Sequence, residues 1–175
     1  MDFAHIHLML NHVPVIGVGF GVLILVVGVI AQSKPVTRVG LGFLALSAIF
    51  AVPVYLTGEP AEEIVEKLPG FSEAITGEHE SAATISLGLV IFTGLLAVVA
   101  LIFTLFTRSF SARLPGVLVI ATLLTSLVTG TSMIRTANLG GQIRHTEIRV
   151  GAQNASPNAE TGTSEKDKTK KDDDD

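Results

Sequence analysis

Four long apolar runs decide what this chain can fold into. Residues 13–31, 39–57, 85–107 and 114–134 contain no charged side chain. Each is close to the ~20 residues that carry a helix across a ~30 Å hydrocarbon core. Lipid offers no partner to an open backbone N–H or C=O, so helices that close their own hydrogen bonds are the expected structure. Composition agrees, because charged residues make up 16% of the chain against about 25% in average soluble domains.

The connections set the topology. Segments 32–38 and 108–113 are short and segment 58–80 is long, which predicts an up-down-up-down arrangement. The fold class is therefore all-α: an antiparallel bundle of four transmembrane helices, with a short periplasmic surface helix and a disordered C-terminal tail. Helices are expected at 6–31, 36–57, 79–107 and 114–143, all within one domain, 1–150, with loop 58–78 on the outer side. The polar tail, 151–175, is rich in Ser, Thr, Asn, Lys and Asp, too poor in apolar groups to offset the entropy of ordering it.

Charge sets the orientation. The short connections hold Lys34, Arg38, Arg108 and Arg113 with no acid, whereas the long loop holds seven Glu against the single Lys67. The positive-inside rule puts the short loops in the cytoplasm of a bacterial inner membrane and both termini in the periplasm. Arg135, Arg144 and Arg149 weaken the contrast without reversing it. The first helix has neither a basic leader nor a small-residue cleavage site, so it is expected to stay in the membrane. In the long loop, Pro60 and the early Glu residues start a short helix that Pro69-Gly70 stops. Its stripe of Ile64, Val65 and Leu68 suits the membrane surface.

The chemistry lies with histidine. There is no Cys, which excludes disulfides, thiolate-ligated zinc, iron–sulfur clusters and covalently attached c-type haem. The five histidines are His5, His7, His12, His79 and His145, and the predicted topology gathers all of them at the outer end. His5 and His12 are seven residues apart, so they share a helix face, ~10.5 Å apart along the axis. His7 is about 200° from His5 and points to headgroups or water. His12 is the deepest, just before an uncharged run, and His79 is expected to open the third helix. His12 and His79 are thus candidate axial imidazoles for a haem b iron, with His145 or His5 as substitute or supporting group. Gly17, Gly19, Gly21 and Gly88 would let a flat macrocycle approach the backbone, and Arg135 snorkels or pairs with a propionate or a loop Glu. The hydroxyls of the fourth helix, from Thr122 to Ser132, serve to bond helix to helix. Thr57-Gly58 reads as a helix stop first and as part of a site second.

These motifs resemble a known family. His7-Leu8-Met9-Leu10-Asn11-His12-Val13-Pro14-Val15-Ile16-Gly17, Thr57-Gly58, His79 and Gly140-Gly141 before His145 are similar to the small bacterial four-helix membrane proteins of unknown function that carry a His-x-Pro start. The resemblance spans about residues 5–146. It implies a haem-binding protein laid out like a small b-type cytochrome, with His12, His79 and His145 as ligand candidates. Paired-haem members of that class ligate one haem on each side. Here the histidines lie on one side, which confines any haem to the outer end.

The expected function is electron transfer, within a larger respiratory or redox membrane complex or with a quinol. An electron carrier or subunit is expected rather than a stand-alone enzyme, and no nucleic-acid partner. Two other classes stay open. One is a cofactor-free accessory subunit packing through Gly17, Gly19, Gly21, Gly40 and Gly42. The other is a periplasmic copper or zinc site in which Glu78 or Glu80 joins the imidazoles. Walker loops, nucleophile elbows and HExxH sequences are absent from the chain.

Overall fold

The computed structural model describes residues 2–106 and 113–149. Six α-helices follow in order: α1 Phe3–Leu10, α2 His12–Ile30, α3 Lys34–Leu56, α4 Gly58–Val65, α5 Glu73–Phe106 and α6 Arg113–Arg144. A 3₁₀ turn, Thr146–Ile148, closes the described chain. Four spans are long and apolar enough to cross a membrane: Phe3–Ile30, Lys34–Leu56, Glu73–Phe106 and Leu114–Arg144. The tail expected at 151–175 lies outside the described residues.

The bundle is a ring. α2 packs on α3, α3 on α5 and α5 on α6, and a shorter α6–α2 seam completes it. Small residues bring the backbones together. A Cβ on Gly28 would stand 2.6 Å from Thr37 N, and one on Gly40 would stand 2.7 Å from Leu25 N. Gly94 faces Ala48 across the α3–α5 seam in the same way. Leu25, Leu41, Leu44, Val90, Ala97 and Ala100 are fully buried between these contacts.

The polarity of the bundle identifies its solvent. The buried set includes Thr37, Ser47, Ser86, Thr93, Thr104, Thr122, Ser126 and Thr129, while Phe20, Leu23, Ile49, Phe92, Leu95, Leu124 and Val128 face outward. Small hydroxyls inside and large hydrocarbon outside suit helices packed within lipid. The chain is a multi-pass membrane protein. At the end of the bundle away from α4, Arg38 donates to the carbonyl of Thr104 and ties α3 to α5.

Three features shape the end that carries α4. The first span is interrupted at Asn11, where Pro14 has no N–H to offer the Leu10 carbonyl, although Asn11 keeps helical φ and ψ. α1 then leans onto α4 and α3. The short helix starts at Gly58, two residues before its Pro60 signal, and seats the buried Ala61 at this end of the bundle. α5 starts at Glu73, not 79: Ser72 accepts from Thr76 N at 3.1 Å and from Thr76 Oγ1 at 3.0 Å, and the helix runs on through Gly77. Arg149 ties the end of α6 to the loop before α5, donating to Gln142 O at 2.8 Å, Ile143 O at 3.1 Å and Gly70 O at 2.8 Å.

Candidate functional site

The buried face of α2 is Pro14, Val18, Gly21, Leu25 and Gly28. Counting back in sevens and fours, that face continues through Asn11 to His7. His7 is half-buried, whereas His12 and His5 are exposed. The rotation of the first span therefore turns His7 inward and His12 outward, the reverse of what the His5–His12 spacing suggested.

His7 sits against the end of α3. Its Nδ1 lies 3.1 Å from Val54 O and 3.2 Å from Thr57 Oγ1. A carbonyl can only accept, so Nδ1 carries the proton and Nε2 keeps its lone pair. Thr57 Oγ1 in turn donates to Pro53 O at 3.0 Å and Val54 O at 2.9 Å. A Cβ on Gly58 would be 3.8 Å from His7 Cε1. Thr57-Gly58 is thus both the joint between α3 and α4 and the wall of this ring.

His79 repeats the arrangement on α6. Its Nδ1 is 3.0 Å from Thr136 O, again a carbonyl, and the ring is half-buried. It lies about two turns inside α5 instead of opening it, because the helix starts earlier than the Gly77-Glu78 signal implied. The ring rests on Gly140, where a Cβ would come within 3.0 Å of Cε1.

The other histidines point elsewhere. His5 Nδ1 is 2.8 Å from Asp2 Oδ1, and His12 Nδ1 is 3.3 Å from Leu8 O. His145 lies past the end of α6, exposed, with Nδ1 2.9 Å from Glu147 Oε1. His7 and His79 are the two half-buried histidines at this end, on different helices, whereas His5, His12 and His145 are exposed. Sequence spacing turned His7 outward, although Pro14, Gly21 and Gly28 repeat at sevens behind it and mark the inward face.

Two neighbours complete the setting. Asn11 Oδ1, one turn below His7, is buried without a hydrogen-bond partner among the described residues. Glu62 of α4 has its carboxyl pushed above the ordinary range, chiefly by burial and then by Glu80, Glu66 and Glu59. Glu78 and Glu80 are exposed, and among the described residues no three or more His, Asp or Glu gather to hold a metal ion.

The glycines offered for a macrocycle are mostly occupied or outward. Gly17 abuts Ser47, and a Cβ on Gly21 would be 2.7 Å from Leu44 Cδ2. Gly19 and Gly88 are exposed and face open space. The donors this end offers are two half-buried imidazoles whose Nδ1 atoms sit on backbone carbonyls, while the α2–α3 seam below is closed by packing. Searches of family models, curated proteins and solved structures return no match to this chain.

Proposed function

We propose that this chain is a membrane b-type cytochrome-like electron carrier, with His7 and His79 as the two imidazoles that hold haem b. One observation carries the reading. Both rings are half-buried, stand on different helices, and commit Nδ1 to a backbone carbonyl. That hydrogen bond fixes the tautomer and orientation of a metal-ligating His and raises its basicity. Each Nε2 is left as the ligand atom. The resemblance of residues 5–146 to a family of unknown function with suspected haem-binding members supports a haem reading in general; it implied His12, and the exposure of that ring favours His7 in its place.

When bound, haem iron supplies reversible one-electron transfer, at a potential set by ligand identity, burial and hydrogen bonding. The chain's own part is to hold and shield. α3 fixes His7 through Val54 and Thr57, α6 fixes His79 through Thr136, and α1 and α4 cover the end of the bundle. The basic short connections favour a periplasmic position for this end, in an inner membrane. A quinol or a larger redox complex is the electron donor this setting suits.

The test is an absorption spectrum of protein made with ample haem, oxidised and dithionite-reduced. A Soret band with sharp reduced α and β bands supports the reading. A colourless protein overturns it.

Asn11 favours a second reading, a bare copper or zinc ion. Its buried, unpartnered carbonyl oxygen would join the two imidazole nitrogens as a third donor of a type such ions accept. Metal analysis of a colourless preparation separates the two.

A further inference from the structure

The seam between α5 and α6 carries a closed circuit of hydroxyls about two turns beneath His79. Ser86 Oγ is 2.7 Å from Ser132 Oγ and 2.9 Å from Thr136 Oγ1, and Thr136 Oγ1 donates to Ser132 O at 3.1 Å. Every proton has one place to go: Ser132 donates to Ser86, Ser86 to Thr136, and Thr136 to the Ser132 carbonyl. Thr136 is also the residue whose carbonyl takes the His79 proton. Ser86 is seven residues after His79 on the same face of α5, about 10.5 Å along it. A single residue of α6 therefore receives His79 at its carbonyl and Ser86 at its hydroxyl.

We propose that Ser86 is a positioning residue for His79. Through Thr136 it sets the register of α6 against α5, so that the Thr136 carbonyl and the bare backbone at Gly140 form a cradle that admits one tautomer of the ring. The circuit lies in an apolar bundle, where water is not at hand to replace a lost hydroxyl. Nδ1–H is thereby held on the α6 side, on the Thr136 carbonyl.

A second hydroxyl bridge on the same seam provides the control. Thr93 Oγ1 is 2.8 Å from Thr129 Oγ1, one heptad deeper, and touches no histidine. Losing it costs packing and hydrogen bonding of the same kind without reaching the cradle.

The inference concerns the site of the proposed haem but rests on ring geometry alone, so it is tested on full-length protein prepared without haem. In lipid nanodiscs, ¹⁵N-histidine labelling leaves five side chains to resolve, and His79 is assigned by its loss in His79→Gln. Long-range ¹H–¹⁵N spectra then report which ring nitrogen is protonated. Wild type should show His79 as the Nδ1–H tautomer. Ser86→Ala should lower the ratio of that tautomer to its alternative by about threefold or more, on the scale of one hydrogen bond within a membrane bundle. Ser86→Thr should restore it, and Thr93→Val should leave it unchanged. The proposal is overturned if Ser86→Ala keeps the wild-type ratio, or if Thr93→Val shifts it equally. Should Ser86→Ala not fold, Ser132→Ala breaks the same circuit from α6 and is read in the same way. A failed haem spectrum would leave each of these outcomes intact.

Discussion

The Cβ that Gly140 lacks would stand 3.0 Å from Cε1 and 3.3 Å from Nδ1 of His79. A methyl group there is tight enough that the ring or the helix must give by a few tenths of an ångström. Gly140→Ala should therefore push His79 off Thr136 O or force α6 away from α5. Overpacking of this kind costs ~1–3 kcal/mol. The expected readout is a weakened haem spectrum in a bundle that still forms. Gly19→Ala, where a Cβ meets open space, should change nothing. Equal behaviour of the two variants would contradict the cradle.

Helix contact through glycine should dominate stability on the α2–α3 seam. Gly40→Ala places a methyl 2.7 Å from Leu25 N and 2.9 Å from Leu25 Cα, and backbone cannot swing aside. We expect a loss of ~1–3 kcal/mol in denaturant unfolding from mixed micelles. Gly42→Ala on the same helix has open space around it and should unfold like wild type.

Glu62 should make the protein more stable in mild acid. Burial, and then Glu80, Glu66 and Glu59, raise its carboxyl above the ordinary range in the folded state. Ionising it therefore costs more folded than unfolded. This contribution to stability is full on the acid side and is lost as pH rises from the ordinary carboxylate range through the raised value. Glu62→Gln should remove that part of the pH dependence and raise the melting temperature at neutral pH. Parallel pH profiles for the two proteins would show that Glu62 is not the group responsible.

Much of this molecule is legible in its residues. Four charge-free runs must become helices because lipid accepts little else, and short connections between them dictate antiparallel neighbours. The start of α5 is less legible. Gly77 looks like a break at the level of propensity, yet Ser72 and Thr76 begin the helix six residues before His79, and the hydrogen-bond ladder simply continues through the glycine. The site was harder still. His5 and His12 share a face, but spacing alone does not say which way that face turns. Rotation is set further along, where Gly21 packs on Leu44 and Gly28 on Thr37. Those glycines point the heptad of 28, 21, 14 and 7 inward. Val54 and Thr136 were invisible for another reason: they contribute backbone carbonyls, which no side-chain pattern encodes.

The proposed haem site stands or falls with His7 and His79 as its two imidazoles. Its most direct measurement is the oxidised and reduced spectrum of two variants beside wild type, His7→Ala and His12→Ala, expressed with ample haem. His7 is half-buried against Val54 and Thr57, and His12 is exposed with Leu8 O as its ring partner. The prediction is that His7→Ala loses the low-spin haem spectrum while His12→Ala keeps it. Loss in His12→Ala with retention in His7→Ala would contradict the claim.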